Sequence, residues 1–409
     1  TGNEFNVGGH TLILSGGGIF ANTTNLALDD PSSYLKLDGI AKVSKVSNSA
    51  DMTTGKLEVA KNSIIETLLH SGSSRIDIAD NKTLMLKNAF AIPSAKSMEL
   101  IGAGGGTLSL ANKLTLVGTL KVEAEDIIKD GTLSINGGTL EFTKNASIES
   151  TLVLEASSLI NVASGKVLTY SGDDVDIGAF ALTLSGGGTF ANSTELKFND
   201  AASVLNLDGI SEVSKISFPV SLQTGSLNVT QDAKILSLSH ASESRINISS
   251  AKTLTVTDDV NVASNKSMVL NGSGGSLKLE NKLKLNGTLI MEDQSTLEGG
   301  TLVFDDGIVS VKKDSIIASA ITHDASSTFE IASGKRLTMQ GDFEVPFERK
   351  MNLTGMNGVL ALQDTVTLSG TIEFAAPQTL DNGTLTLNGG TLNVKDDVTI
   401  SSGIIHIDN

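Results

Sequence analysis

Apolar and polar residues alternate along most of the chain in short runs. The runs TLILS (11–15), KLEVA (56–60) and TLMLK (83–87) place an apolar residue at every second position, which is the period of a β-strand with one buried face. Between such runs lie clusters of Gly, Asn, Asp and Ser, which are typical of turns; they include Asn-Gly pairs beginning at residues 136, 271, 286, 357, 382 and 388. No stretch spaces apolar residues at i, i+3, i+4 and i+7, so the pattern predicts many short strands and very little helix.

The strand pattern is itself repeated. Ser15 and the three glycines after it recur at Ser185, and SRIDI at 74–78 recurs as SRINI at 244–248 with the same offset. NKLTLVGTL at 112–120 recurs as NKLKLNGTL at 281–289, an offset smaller by one. A finer period of about 84 residues is marked by KTLML, KVLTY, KTLTV and KRLTM, which begin at residues 82, 166, 252 and 335. Self-similarity of this length indicates tandem duplication.

Nearly five copies in series favour a solenoid over a sandwich or an antiparallel barrel, because only a solenoid gains pairing from each added copy. We therefore predict an all-β fold: a single-stranded, right-handed parallel β-helix with coils of about 21 residues. Residues 1–409 would form one continuous solenoid of about 19–20 coils, and at roughly 4.8 Å per coil its length would be on the order of 90 Å. Leu, Ile and Val would stack inside, while Gly and Asn would supply positive-φ corners. The repeat units are approximately 1–81, 82–165, 166–251, 252–334 and 335–409.

Charge and composition narrow the possible partners. The chain has 46 acidic and 30 basic residues, a formal net charge of −16 and no Cys. Such a balance argues against binding to nucleic acid or to an anionic membrane surface. The lack of Cys excludes disulfides, thiolate metal sites and a cysteine nucleophile. No apolar run approaches the length that a membrane-spanning helix needs, so we expect no membrane insertion, and the N-terminal residues lack signal-peptide features, as expected of a mature protein or a fragment.

Histidines recur at equivalent places in the repeats. His70, His240 and His323 are each followed by a Ser-rich turn, Glu155 takes this place in a fourth unit, and His406 is a candidate for the fifth. A metal or catalytic site needs several ligands close together, whereas these residues are about a repeat unit apart in the sequence. The pattern therefore favours a repeated structural turn over a metal site.

Two further patterns suggest ion binding. Paired acids that could hold Ca²⁺ through oxygen ligands occur at Asp29–Asp30, Asp173–Asp174, Asp258–Asp259, Asp305–Asp306 and Asp396–Asp397. We interpret them mainly as solvated turns, because they form neither an EF-hand nor a calcium β-roll repeat; a weak calcium site is the alternative. The glycine clusters at 15–18, 102–106 and 185–188 lack the Gly-Lys-Ser/Thr of a phosphate loop, since Leu57 follows Gly55-Lys56 and Val167 follows Gly165-Lys166. Tight corners explain them.

An enzyme and an ice-binding protein are the alternative functions. Parallel β-helices can host polysaccharide lyases and hydrolases, whose acidic groups lie beside aromatic platforms. This chain has no Trp, only Tyr34 and Tyr170, and Arg only at 75, 245, 336 and 349. Thr-x-Thr runs typical of ice-binding solenoids occur at 253–257, 365–367 and 384–386, but not coil after coil. We therefore expect no enzyme activity, no catalytic or cofactor-binding residues, no metal ligands and no cofactor.

The phrases GGTL, NKLTL followed by GTL, and ASGK followed by LT resemble the passenger and filamentous haemagglutinin-like regions of large bacterial surface proteins. The resemblance covers nearly all of the chain and implies a secreted or surface-displayed parallel β-helix, often adhesive. Expected partners are the flanking modules of a larger protein and a host or environmental glycan or protein. Unprotected coil edges at the two ends would also allow end-to-end self-association.

Overall fold

The chain is all β, as the alternating pattern predicts. The structure, a computed structural model, describes residues 4–408 and contains no helix within them; consistent with this, no helix that could cross a membrane occurs in that range. Parallel strands stack into a β-solenoid of about 19 turns with about 21 residues per turn. The predicted β-solenoid is thus confirmed. The chain divides into two compact units: unit 1 is Thr1–Lys197 with Gly209–Ser214, and unit 2 is Phe198–Asp208 with Lys215–Asn409.

Each coil contributes strands to three sheets, which we call faces 1, 2 and 3 in the order in which the chain passes through a coil. Face 1 in unit 1 consists of Thr11–Ser15, Tyr34–Asp38, Lys56–Val59, Ser74–Ile78, Ser97–Ile101, Thr119–Val122, Thr139–Phe142, Ser158–Val162 and Ala181–Ser185. Face 1 in unit 2 consists of Val204–Asp208, Ser226–Val229, Ser244–Ile248, Ser267–Asn271, Thr288–Met291, Ile308–Val311, Ser327–Ile331, Lys350–Thr354, Thr371–Phe374 and Thr391–Val394.

Faces 2 and 3 are formed partly by separate strands and partly by longer strands that run from one into the other. The separate strands of face 2 are Ile19–Phe20, Thr83–Leu86, Thr107–Leu110, Ile127–Lys129, Ala146–Ile148, Val167–Tyr170, Thr189–Asn192, Thr253–Val256, Arg336–Met339, Gly358–Leu362, Gln378–Asp381 and Val398–Ser401. Those of face 3 are Phe5–Asn6, Leu26–Leu28, Phe90–Ile92, Lys113–Leu116, Thr132–Ile135, Thr151–Leu154, Val175–Asp176, Leu196–Lys197, Val260–Val262, Phe343–Val345, Thr365–Leu368, Thr384–Asn388 and Ile404–Asp408. The longer strands are Lys42–Asn48, Ser63–His70, Glu212–Phe218, Ala233–His240, Gly275–Leu285, Ser295–Phe304 and Ser315–His323.

In-register pairing stacks the apolar residues of each unit into ladders. On face 1 of unit 1 the ladder consists of Ile76, Leu100, Val122, Phe142 and Val162, each at most 1% exposed. Face 1 of unit 2 carries the equivalent ladder, which consists of Ile246, Leu270, Met291, Val311 and Ile331. Each such side chain stabilises the fold by about 1.5–3 kcal/mol through its burial. The predicted aliphatic stacking is confirmed.

Glycine and asparagine form most of the left-handed corners, as the composition predicts. In the glycine cluster at 185–188, Gly186 has φ 98° and Gly187 has φ 80°. A Cβ at Gly186 would lie 2.4 Å from the carbonyl oxygen of Val162 on the preceding coil, so a larger residue would clash there. Asn residues at other corners have φ between 57° and 60°, namely Asn81, Asn265, Asn357 and Asn382.

The outward side chains form ion pairs between neighbouring coils. Lys56 Nζ lies 2.7 Å from Asp77 Oδ2, and Glu373 Oε1 lies 2.7 Å from Lys350 Nζ and 2.9 Å from Lys395 Nζ. The two ammonium groups, first Lys350 and then Lys395, lower the pKa of Glu373 to about 2. Stacked strands therefore bring charges that lie one coil apart in the sequence into contact.

We expect the ladders to dominate stability. Replacing Leu100, which is completely buried between Ile76 and Val122, by Ala should lower the free energy of unfolding by about 3 kcal/mol, since it leaves a cavity that the neighbours only partly fill. Thr139→Ala, an outward change on the same face, is the control and should cost well under about 1 kcal/mol. Guanidinium denaturation followed by circular dichroism measures both. Equal losses in the two variants would contradict the assignment of inward and outward positions.

Candidate functional site

The three recurrent histidines lie in the core. His70, His240 and His323 end face 3 strands and are 7%, 7% and 8% exposed. The Nε2 atom of each lies 2.8, 2.9 or 3.0 Å from the hydroxyl of the serine four residues later, which begins a face 1 strand. This contact joins the two faces at a corner, as the structural-turn interpretation requires. Among the described residues, no three His, Asp or Glu side chains form a group that could hold a metal ion.

Burial lowers the pKa of each of these three histidines to about 4. Desolvation is the main cause, since the charged imidazolium would lose its hydration in an apolar core. Near His240 the Phe218 ring has its centroid 6.3 Å away, and near His323 the Phe304 ring lies at 5.4 Å. The histidines are therefore neutral near pH 7 and serve as packed polar links between faces.

Two residues that the repeat spacing assigns to the histidine position, Glu155 and His406, do not lie there. Glu155 does not occupy the histidine position: Leu154, the last residue of its face 3 strand, is buried there, and Glu155 forms an outward ion pair with Lys113. His406 is also outside the set, because it is exposed and in register with Thr386, while Ile407 pairs with the inward-facing Leu387. The repeat period is too coarse to resolve the one-residue shift that turns a side chain outward.

In three of the five acid pairs, one carboxylate caps a corner of an adjacent coil. Asp259 Oδ1 accepts a hydrogen bond from the backbone N–H of Lys282, and Asp306 Oδ1 accepts one from that of Ser326. Asp174 accepts one from the N–H of Glu195 and pairs with Lys197 at 2.6 Å. These carboxylates are thus already engaged in holding turns, in agreement with the solvated-turn interpretation.

The tyrosines do not form an aromatic platform for sugars. Tyr170 is completely buried, its ring centroid is 6.1 Å from that of Phe190, and its hydroxyl donates to the carbonyl of Asp173 at 2.6 Å. Desolvation raises its pKa to about 12. Tyr34 donates its hydroxyl to the carboxylate of Glu58, next to Lys56. Both rings therefore serve packing or surface pairing.

The sequence patterns do not predict one buried carboxyl group, that of Asp126. Asp126 is 1% exposed and directly precedes the face 2 strand Ile127–Lys129. Its Oδ1 accepts a hydrogen bond from the Gly106 N–H at 3.0 Å, and Oδ2 has no hydrogen-bond partner. Desolvation raises its pKa to about 6. The equivalent residue in the second copy is Ser295. The replacement of Asp by Ser between the two copies is the one feature of the sequence that marks this position as unusual.

Face 3 of unit 2 carries an open cleft of about 580 Å³. Its lining is mostly outward side chains of successive coils: Asn261, Lys284, Val303 and Thr322 lie in one in-register row, and Lys282 and Thr301 lie in the next. Lys284 Nζ is 2.8 Å from Asp305 and 3.7 Å from Asp324. Ammonium, amide, hydroxyl and carboxylate groups thus converge on one concave surface, with Val303 as an apolar floor. A concave surface on which several polar groups converge is a candidate binding site.

The buried histidines should make the free energy of unfolding depend on pH below about 6.5. His240→Leu removes one neutral imidazole, whose stabilising contribution is present above pH 6.5 and is lost as the pH falls towards 4, because only the unfolded chain then takes up the proton. Relative to the variant, the natural chain should lose about 2.5 kcal/mol of unfolding free energy between pH 7.5 and 4.5. Denaturation at a series of pH values measures this. The control, Thr139→Ala, removes no titratable group and should not change the pH dependence. An unchanged slope in His240→Leu would contradict the burial of a neutral ring.

Asp126 should destabilise unit 1 near neutral pH. Because its pKa is raised in the folded state, the penalty is absent below about pH 4 and is complete above about pH 6. Asp126→Ser, which installs the residue of the second copy, should therefore raise the free energy of unfolding by about 3 kcal/mol at pH 7.5 and by little at pH 4. The reciprocal Ser295→Asp change should have the opposite effect. A stability gain that does not vary with pH would disprove the role of ionisation.

Comparison with known proteins adds no family to this description: no known protein-family model matches the chain, and no curated protein matches it.

Proposed function

We propose that this chain is a rigid, acidic β-solenoid segment of a larger bacterial protein that is secreted or displayed on the cell surface. In this role it separates flanking modules and presents its outward rows to a partner. One observation carries the proposal: the side chains best suited to chemistry, among them His70, His240 and Asp126, are buried in the core. The outward side chains instead include ion pairs between neighbouring coils, such as Lys56 with Asp77 and Lys350 with Glu373.

Stiffness is the physical property that suits such a segment. Each strand is hydrogen bonded to neighbouring coils, and each coil packs against its neighbours through ladders of buried aliphatic residues. The ion pairs between coils, such as Lys56 with Asp77 and Lys350 with Glu373, add further links on the outside. Bending a coil away from its neighbour would break these contacts together. A spacer needs that resistance, whereas an enzyme does not need it over so many repeated turns.

The repeated outward rows would also let the segment contribute to adhesion. Similar outward rows recur in both units, so weak contacts to a repetitive glycan or protein could act together and gain affinity through effective concentration. A polysaccharide lyase or hydrolase is the alternative. It would require acid and base groups within reach of one substrate bond. The resemblance to surface-protein β-helices favours display over turnover.

Mechanical unfolding tests the spacer role. Pulling the full chain by its two ends should peel off coils one or a few at a time, because each coil contacts only its neighbours. With about 21 residues per coil, each released coil should lengthen the chain by about 70 Å. Single-molecule force spectroscopy measures these increments. Extension at low force without discrete steps would show that the coils do not resist load and would contradict the spacer role.

A degradation assay separates this proposal from the enzymatic alternative. The full chain incubated with a panel of soluble polysaccharides should release no new reducing ends, and no double bonds should form that absorb in the ultraviolet. Heat-denatured chain is the control for background cleavage. Release of oligosaccharide products by the folded chain alone would overturn the non-enzymatic proposal.

A further inference from the structure

The two copies of one segment, which passes through face 3 three times, carry different charge pairs on that face. Residues 113–155 correspond to 282–324 without a gap. In unit 1, Lys113 and Glu155 form an ion pair two coils apart. Ser134, on the coil between them and in register with outward residues of its neighbours, is completely buried. The ion pair therefore closes over the middle coil of face 3 in unit 1.

The corresponding pair does not form in unit 2. Lys113 corresponds to Lys282, and Glu155 to Asp324, whose side chain is one methylene shorter. A second lysine, Lys284, takes the place of Thr115 and draws in both Asp305 and Asp324. Among the side chains that the structure describes, Lys282 Nζ then has no carboxylate within 4.0 Å. Lys282 is one of the residues that line the 580 Å³ cleft.

The cleft in unit 2 thus lacks a carboxylate in contact with Lys282, whereas in unit 1 Glu155 supplies one to Lys113. In unit 1 the Glu155 carboxylate neutralises the lysine and covers the coil. In unit 2 the lysine is kept as Lys282, but the carboxylate of Asp324 pairs with Lys284 instead. Val303, which is 7% exposed, replaces Ser134 and forms the floor of the cleft. A ligand carboxylate at Lys282 would restore the charge pair of the first copy.

The other lining groups define the rest of the ligand. Asn261 offers a donor and an acceptor, Thr301 and Thr322 offer hydroxyls, and the Asp259 and Asp324 carboxylates accept hydrogen bonds. Sugar hydroxyls satisfy both kinds of group, and the flanking aspartates disfavour a densely charged polyanion. A peptide could not add as a strand here, because the backbone groups of these face 3 strands already pair with adjacent coils.

We propose that this cleft binds a carboxylate-bearing oligosaccharide, with its carboxylate on Lys282 and its hydroxyl groups on the amide, hydroxyl and aspartate side chains around it. The site goes beyond the spacer role and does not depend on it. If the oligosaccharide fails to bind, the mechanical proposal is unaffected. If the coils yield under low force, the cleft in unit 2 is still open to ligand.

Calorimetric titration of the full chain with trigalacturonate tests the proposal, with neutral galactotriose as the matched ligand. Trigalacturonate should bind at least 10-fold more tightly than galactotriose, and the difference should shrink as salt is raised. Lys282→Gln should weaken trigalacturonate binding at least 10-fold, while Lys113→Gln, at the equivalent position of unit 1, should leave it unchanged.

Two changes at Asp324 distinguish the proposed geometry from simple charge attraction. Asp324→Glu lengthens the side chain to that of Glu155, so it should pair with Lys282, close the cleft and weaken binding at least 10-fold. Asp324→Asn removes the competing carboxylate and should bind at least as tightly as the natural chain. Unaltered melting curves would show that the variants are folded. Absence of trigalacturonate binding, equal binding of galactotriose, insensitivity to Lys282→Gln, or preferential binding of a Glu-Gly peptide would each overturn the proposal.

Discussion

In-register parallel pairing between a strand and the strand about one coil later is the interaction on which this structure depends. It fixes which side chains point inward, because a shift of one residue would exchange the two sides of a strand. It brings residues such as Leu100 and Val122 into one ladder and residues such as Lys56 and Asp77 into one ion pair. Core and surface are therefore consequences of the same register. A local change is felt mainly by the adjacent coils, since each coil contacts only its neighbours.

The fold could be predicted from the sequence because two independent patterns agree. Alternation at period two specifies strands with one buried side, and repetition at a long and nearly constant spacing is what stacked coils require. The composition also predicted the corners, where Asn81 and Gly186 adopt positive φ. Inward and outward assignments follow from alternation alone within a strand, so the ladders were predictable wherever the strand boundaries were clear.

The site was less predictable because it depends on single-residue register and on side-chain reach. His406 is one residue from the inward position, and Glu155 is one residue beyond the buried Leu154. The repeat spacing does not distinguish such neighbours. The burial of Asp126 and the cleft beside Lys282 escaped prediction for a related reason: each depends on which groups on adjacent coils can reach it, and those groups lie a whole coil away in the sequence.

Duplication gives this chain a scaffold on which the two sides of a strand change under different constraints. An inward residue must fit the ladder, so Leu100 and Leu270 are the same and Phe142 is replaced only by the apolar Val311. An outward residue needs only a compatible neighbour, so Thr115 in one copy can be Lys284 in the other. That added charge, together with the shorter side chain of Asp324, directs Asp324 to Lys284, and among the described residues no carboxylate then lies within 4.0 Å of Lys282 Nζ. New surface chemistry can thus arise in one copy while the core that supports it stays unchanged.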